Sequence, residues 1–424
     1  METPLTQNIR SGRAPLGIAD YVRAGGYRAV RKVLEEMTPK EVVDIVTASK
    51  LRGRGGAGFP TGVKWNLVPD KAAARGPHYL VVNADEMEPG TFKDRLLLEG
   101  DPHQLIEAVI IAAYAIQADH AYVFLRAEYH LADQRLKQAI AEATAQGYLS
   151  TNILGSGYDL SFDVHTSAGR YICGEETALL TALEGQRAVP RAKPPYPQMS
   201  GLWGRPTVVN NVETLCNVPH IINNGADWFI GLGHGEDSGT KIYGASGRVR
   251  SPGAWELPMG TPLREIIEEH AGGMRPGHEL RAVLPGGAST SFLMADALDV
   301  AMNFGAVEKA GSRLGTGAAI VLDERTCPVG MLRNLEHFFA QESCGWCTPC
   351  RDGLPWVERL LSAIEDGEGE SEDIAILEEH VGLLGPGRTF CAHAPGAMAP
   401  LESGLKYFRA DFERHIHDKR CPWR

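Results

Sequence analysis

At 424 residues the chain exceeds what one compact domain usually holds, and its 43% hydrophobic content is enough to fill two or three cores. A net charge of −11 denies it the basic face that phosphate neutralisation requires, so nucleic acid is not an expected partner. The longest apolar run, Ala108 to Ile116, is too short to span a bilayer, and Met1-Glu2-Thr3-Pro4 resembles neither a signal peptide nor an Arg/Ser-rich transit segment. These features predict a soluble bacterial cytoplasmic protein.

Residues 1–50 read as helical, with Pro39-Lys40-Glu41 opening an amphipathic run that carries Val42, Val43, Ile45 and Val46. A glycine-rich stretch, Gly53 to Gly62, comes next. Tyr79-Leu80-Val81-Val82 predicts a buried strand ending at Asn83-Ala84-Asp85-Glu86, Gln104 to Ala118 a buried helix, Ala121 to Leu125 a second strand, and Leu131 to Gln146 a second helix. Such alternation argues for a layered α/β core. Residues 185–206, with Pro190, Lys193, Pro194, Pro195 and Pro197, form an irregular arm.

Around 238–322 the pattern shifts to short strands, Lys241 to Tyr243, Arg281 to Leu284 and Ala319 to Leu322, with one helix from Pro262 to His270. This predicts a small unit of the β-grasp kind. From Val329 onward the chain reads as helices over roughly 329–342, 354–365, 371–384 and 396–415, whose short connections favour a bundle. The acidic run Glu365 to Asp373 reads as a solvated loop.

Three of the eight cysteines stand in Ser343-Cys344-Gly345-Trp346-Cys347-Thr348-Pro349-Cys350. Thiolates at C-x2-C-x2-C spacing wrap one corner of a cubane and leave its fourth iron to a remote cysteine, whereas zinc more often takes two separate pairs. The remote ligand is Cys391, in a glycine-bounded turn between helices, with Cys421 near the C-terminus as the alternative. Cys173, Cys216 and Cys327 have no such company and read as buried apolar residues.

Arg52-Gly53-Arg54-Gly55-Gly56-Ala57-Gly58-Phe59 follows a helix and has no Walker lysine, but its backbone can approach an anion closely, with Arg52, Arg54 and Lys64 nearby in sequence. Asn83 to Glu88 follows a buried strand, where α/β folds bind ligands. Glu175 and Glu176 open a helix, where they either cap it or accept hydrogen bonds from ribose hydroxyls. Asn210, Asn211 and Thr214 offer neutral donors and acceptors, with helix capping as the plainer role.

Together these motifs closely resemble the flavoprotein subunit of respiratory complex I, the bacterial F subunit. The resemblance runs from about residue 15 to 415 and rests on Arg54 to Trp65, Asn83 to Gly90, Tyr171 to Leu179, Val209 to Leu215 and Glu342 to Arg351. It implies three domains: a Rossmann-like FMN and NADH domain (1–237), a ubiquitin-like β-grasp domain (238–325) and a helical bundle holding a 4Fe-4S cluster (326–424). FMN would be held by Gly53, Arg54, Gly55, Gly56, Lys64, Asn83, Asp85, Tyr171, Gly174, Asn210, Asn211 and Thr214. The loop residue Ala57 would join that site, and the adenine of NADH would lie near Phe59 and Tyr196. Glu86 would stand at the nicotinamide ribose, with Glu175 and Glu176 near the nucleotide. Lys64, Glu86 and Tyr171 would act at the reacting end by positioning, because the cofactors carry the hydride chemistry. A carboxylate at the adenine ribose, expected to be Glu176, would disfavour the 2′-phosphate of NADPH.

The implied ligands of the cluster are Cys344, Cys347, Cys350 and Cys391. The implied partners are a thioredoxin-like 2Fe-2S subunit and a large multi-cluster iron–sulfur subunit, on the cytoplasmic side of the inner membrane and with no membrane insertion of this chain. Lys50 departs from the family, which usually has glycine there, and Leu67 and Tyr196 stand where some relatives have phenylalanine. Two rivals remain: a diaphorase component of a soluble NAD-linked hydrogenase or formate dehydrogenase, and a zinc-stabilised binding module without flavin.

Overall fold

The computed structural model describes residues 2–10, 12–74 and 76–424. It forms two compact units, one of Met1–Met87, Phe92–Ile242 and Ala254–Thr261, the other of Glu88–Thr91, Tyr243–Gly253 and Pro262–Arg424.

The first unit is built on a parallel sheet of Tyr79–Ala84 (β1), His120–Leu125 (β2), Ser161–Thr166 (β3) and Thr207–Asn211 (β4), in the order β3-β2-β1-β4. Tyr79 to Val82 are all buried, as expected of a strand covered on both faces. Helix Pro102–Ala115 is buried along nearly its whole length, which is why it shows no polar stripe. β3 lies at the sheet edge and is largely exposed. Its sequence, SFDVHT, has only two large apolar residues and gave no strand expectation.

Helix Pro39–Ala48 begins at a reciprocal cap. The Thr38 hydroxyl accepts from the Glu41 amide at 3.3 Å, and the Glu41 carboxylate accepts from the Thr38 amide at 2.7 Å. The helix ends at Ser49, and Lys50 follows with φ +57°. That left-handed conformation costs glycine nothing but strains a lysine.

Strand Thr240–Gly247 (β5), which passes into the second unit at Tyr243, pairs in parallel with Ala318–Asp323 from Gly244 onward. Strand Gly253–Pro258 (β6) carries the chain back to the first unit. Leu280–Leu284 (β7) lies antiparallel to Ala318–Asp323 (β9), and Leu293–Met294 (β8) lies antiparallel to β7. The expected helix from Pro262 to His270 is one α-turn, Leu263–Glu265, followed by a wider π-turn at Ile266–His270.

Helices Pro328–Glu342, Thr348–Glu365, Ser371–Leu384, His393–Tyr407 and Arg409–Asp418 complete the unit. The span 396–415, read as one helix, is two. They break at Phe408, whose buried ring packs edge-on against Phe292. Among the described residues, no helix is long and apolar enough to cross a membrane. The fold is therefore mixed α/β with a parallel-sheet, Rossmann-like region.

Candidate functional site

The carboxyl ends of β1 and β4 lie side by side, with Asn83 in register with Asn211. This is where an open parallel sheet presents ligand-binding groups. The Asn83 side-chain amide donates to the Gly174 carbonyl at 2.9 Å and draws the Tyr171–Gly174 turn to the same edge.

The glycine loop closes on itself. The Gly53 amide donates to the Phe59 carbonyl at 2.9 Å, and the Arg52 guanidinium donates to the Gly58 carbonyl at 2.8 Å. Gly56 (φ +124°) and Gly58 (φ +66°) take backbone conformations that side chains resist. A Cβ on Gly55 would stand 3.1 Å from the Asn211 Cβ, so glycine keeps the loop's backbone open beside Asn211. The Arg54 amide donates to the Thr214 hydroxyl at 2.8 Å, tying the loop to the helix after β4.

The buried Arg54 guanidinium turns inward and donates to the Ser238 carbonyl (2.7 Å) and the Thr240 carbonyl (3.2 Å). Asn210 points inward too, its side-chain oxygen accepting from the Trp65 indole at 2.8 Å. Asn211 caps its own helix by accepting from the Thr214 amide at 3.2 Å.

Charge at the edge comes from four groups. Lys64 donates to Glu176 at 3.0 Å and to the Val209 carbonyl at 3.1 Å, and Lys193 donates to Glu176 at 2.7 Å. Burial pushes the Glu176 carboxyl up, but Lys64 and Lys193 outweigh it and hold the group below its ordinary range. Lys193 is an addition to the expected set; only its place among the arm's prolines hinted at it. Glu175 caps helix Glu176–Leu183, accepting from the Thr177 amide (3.0 Å) and the Ala178 amide (2.8 Å). Ala57 and Gly174 lie at the surface, Tyr171 is half-buried, and the rings of Phe59 and Tyr196 are 47% and 55% exposed, open to stack on a planar group.

Glu86 is buried and serves the helix Lys93–Gly100. Its oxygens accept from the amides of Lys93 (3.0 Å), Asp94 (2.9 Å) and Arg95 (3.1 Å) and from the Tyr129 hydroxyl (3.0 Å). Burial, then the nearby Asp94, push its carboxyl up to about 7 against the pull of Lys93 and the amides. Asp85, also buried, accepts from the Ser167 hydroxyl at 2.8 Å. Open glycine backbone and a lysine ammonium at the sheet edge, with exposed rings in the glycine loop and the arm, fit a planar, phosphate-bearing cofactor.

The second unit gathers the motif cysteines. Cys347 is the N-cap of helix Thr348–Glu365, and Gly345 takes φ +75° to make the turn between the first two thiols. The Cys350 sulfur lies 3.2 Å from the Ser343 hydroxyl. Burial pushes the Cys350 thiol up to about 12, and the thiols of Cys347, Cys391 and Cys344 around it add to that push. His393, buried and 2.8 Å from the Phe339 carbonyl, pins the start of the helix after Cys391 to helix Pro328–Glu342. Soft sulfur donors near enough to Cys350 to raise its thiol suit iron–sulfur ligation. Cys421 sits elsewhere, with Cys327, Glu365 and His415. Glu365, read from sequence as the start of a solvated loop, is instead a buried helix terminus.

Comparison with known proteins finds family matches along the chain. The Nuo51 FMN-binding domain profile matches residues 46–220, the SLBB domain 244–293, and the iron–sulfur binding region of NADH-ubiquinone oxidoreductase F 330–415. The F subunit of NADH-quinone oxidoreductase from Escherichia coli is 55% identical over 97% of this chain and 93% of its own length. Its counterpart from Streptomyces coelicolor is 49% identical over 95% of this chain and 89% of its own.

The chain belongs to the family of NADH-quinone oxidoreductase F subunits. Among solved structures, an air-oxidised NAD+-reducing NiFe-hydrogenase superposes with a TM-score of 0.82 at 34% identity, over 95% of this chain and 67% of that one. As a member of the F-subunit family, the chain is an oxidoreductase component with FMN and a 4Fe-4S cluster as cofactors and NADH as substrate.

Proposed function

We propose that this F-subunit family member oxidises NADH and passes the electrons to partner subunits, toward quinone. Bound FMN would supply a hydride acceptor and the 4Fe-4S cluster a one-electron acceptor. The observation that carries this reading is the pairing, in one chain, of an FMN-type cradle at a parallel-sheet edge with a group of four thiols.

The chain's own residues bind and orient. Gly53, Gly55, Gly56, Ala57 and Gly174 offer backbone to the flavin and its phosphate; Lys64, Asn83, Asp85, Tyr171, Asn211 and Thr214 hold it. Arg54 and Asn210 act by fixing the loop and Trp65, since their side chains face inward. Phe59 and Tyr196 stack on adenine. Lys193 and Lys64 hold Glu176 ionised beside the nucleotide, with Glu175 next to it. Glu86 is a positioning residue, acting through the helix that it caps. Cys344, Cys347, Cys350 and Cys391 ligate the cluster.

We further read the chain as a Rossmann-like domain (1–237), a β-grasp domain (238–325) and a helical bundle (326–424). Its partners are a thioredoxin-like 2Fe-2S subunit and a large multi-cluster subunit on the cytoplasmic face of the membrane. Exposed Trp346 and Phe390, beside the cysteines, support a partner covering that face. The likeness to the hydrogenase keeps a soluble diaphorase role as the second reading. The higher identity to the F-subunit relatives, over more of their own length, favours the respiratory role.

Purified with its partners, the protein is expected to release one FMN per chain on acid extraction and to reduce ferricyanide with NADH. Protein that holds no flavin would remove the proposal.

A further inference from the structure

Cys327, Glu365, His415 and Cys421 come from four separate places in the second unit: the N-cap of helix Pro328–Glu342, the last residue of helix Thr348–Glu365, helix Arg409–Asp418 and the tail beyond it. One ligand atom from each lies within 4.8 Å of the other three. We propose that these four residues bind one zinc ion, at a structural site separate from the four cysteines assigned to the cluster.

The three distances among Cys327, Glu365 and His415 fit one face of a tetrahedron, and the Cys421 sulfur lies within 4.8 Å of all three. Zinc bonds of about 2.3 Å to sulfur and about 2.0 Å to nitrogen and oxygen set ligand–ligand edges of about 3.3 Å for nitrogen–oxygen and about 3.5 Å for sulfur–nitrogen. The Cys327 sulfur is 3.3 Å from both His415 Nε2 and Glu365 Oε2, and those two atoms are 3.2 Å apart.

The surroundings orient the donors. His415 Nδ1 lies 2.7 Å from the Asp411 carbonyl, which can only accept, so Nδ1 carries the proton. In the neutral ring Nε2 then turns its lone pair toward Cys327 and Glu365, as zinc-bound histidines do. The Gly330 amide donates to the Cys327 sulfur at 3.2 Å, as it would to a thiolate. Two thiolates, a carboxylate and a neutral imidazole total −3, and zinc leaves −1. The Arg424 guanidinium, 3.1 Å from the other Glu365 oxygen, offsets that.

Glu365, His415 and Cys421 are buried, and Trp423 stacks on the His415 ring at 5.7 Å. Four protein ligands leave no open position, so the site clamps the tail to the ends or body of three helices and carries no chemistry. Ninety-odd residues separate the first ligand from the last, which hides the site from any local motif.

The test uses the intact protein co-purified with its iron–sulfur partner. Elemental analysis is expected to give about one zinc per chain, and zinc-edge X-ray absorption two sulfurs at about 2.3 Å with two lighter atoms at about 2.0 Å. His415→Ala and Cys421→Ser should each cut zinc at least about tenfold while the iron content and the dithionite-reduced cluster EPR signal persist. Wild-type protein without zinc overturns the proposal and leaves a thiol–imidazole–carboxylate hydrogen-bond network. Four-sulfur coordination, excess iron in place of zinc, or variants that keep their zinc also overturn it. Should the variants fail to fold, the absorption spectrum of the wild type decides.

Discussion

Replacing Glu213 with alanine removes the carboxylate that two buried ammonium groups share. Glu213 is fully buried just after β4. It accepts from Lys93 at 2.7 Å, from Lys241 at 3.2 Å and from the Ile242 amide at 2.7 Å. Lys93 also pairs with Asp94 at 2.8 Å, so the wild-type group balances two positive charges against two negative ones. Without Glu213 the two ammonium groups lose the buried carboxylate they share, which costs about 3–5 kcal/mol. For a unit of this size that lowers Tm by about 6–20 °C.

Burial holds the Lys241 ammonium down near 8 even with Glu213 pushing it back up, so in the variant Lys241 sheds its proton more readily. The destabilisation should therefore be smaller at pH 9 than at pH 7. Because Asp94 also accepts from the Asn211 amide at 2.6 Å, the variant should lose flavin affinity as well. Thermal unfolding followed by flavin fluorescence at both pH values checks this. A Tm drop of less than about 3 °C at pH 7 would show that the network is not electrostatically coupled as described.

Lys50→Gly should stabilise the protein by about 1 kcal/mol, read as a higher urea midpoint, because it relieves a left-handed residue at φ +57°. Glu176→Gln should raise kcat/KM for NADPH relative to NADH about tenfold, since it removes the repelling charge and frees Lys64 and Lys193; an unchanged ratio removes Glu176 from that role. Burial pushes the Glu107 carboxyl up to about 7, so the folded state binds its proton more tightly than the unfolded state. Its contribution is fully present below about pH 4.5 and is lost as pH rises through 7. Glu107→Gln should abolish that loss, narrowing the stability gap to wild type by up to about 3 kcal/mol between pH 4.5 and 8 in urea titrations.

The legible parts of the sequence were those where one local rule acted alone. The apolar run at Tyr79 and the Ala-rich segment after Gln104 marked a strand and a helix because burial on all sides leaves only length to tell them apart. The edge strand Ser161–Thr166 escaped because one solvated face dilutes its pattern. The three close cysteines were visible as a motif, since their chemistry depends on spacing. The group around Cys327 and Cys421 was not, because only the packing of the terminal helices creates it. Glycine-loop chemistry was half legible: the backbone conformations follow from the residues, but the inward turn of Arg54 and Asn210 depends on carbonyls and a ring far along the chain.

The most direct test of the central claim is an anaerobic NADH titration of the protein co-purified with its small iron–sulfur partner, followed by absorbance and EPR. Bleaching of the flavin together with a reduced cubane signal, the latter absent in Cys347→Ala while the bleaching persists, is the predicted result. A preparation that shows neither change on adding NADH would contradict it.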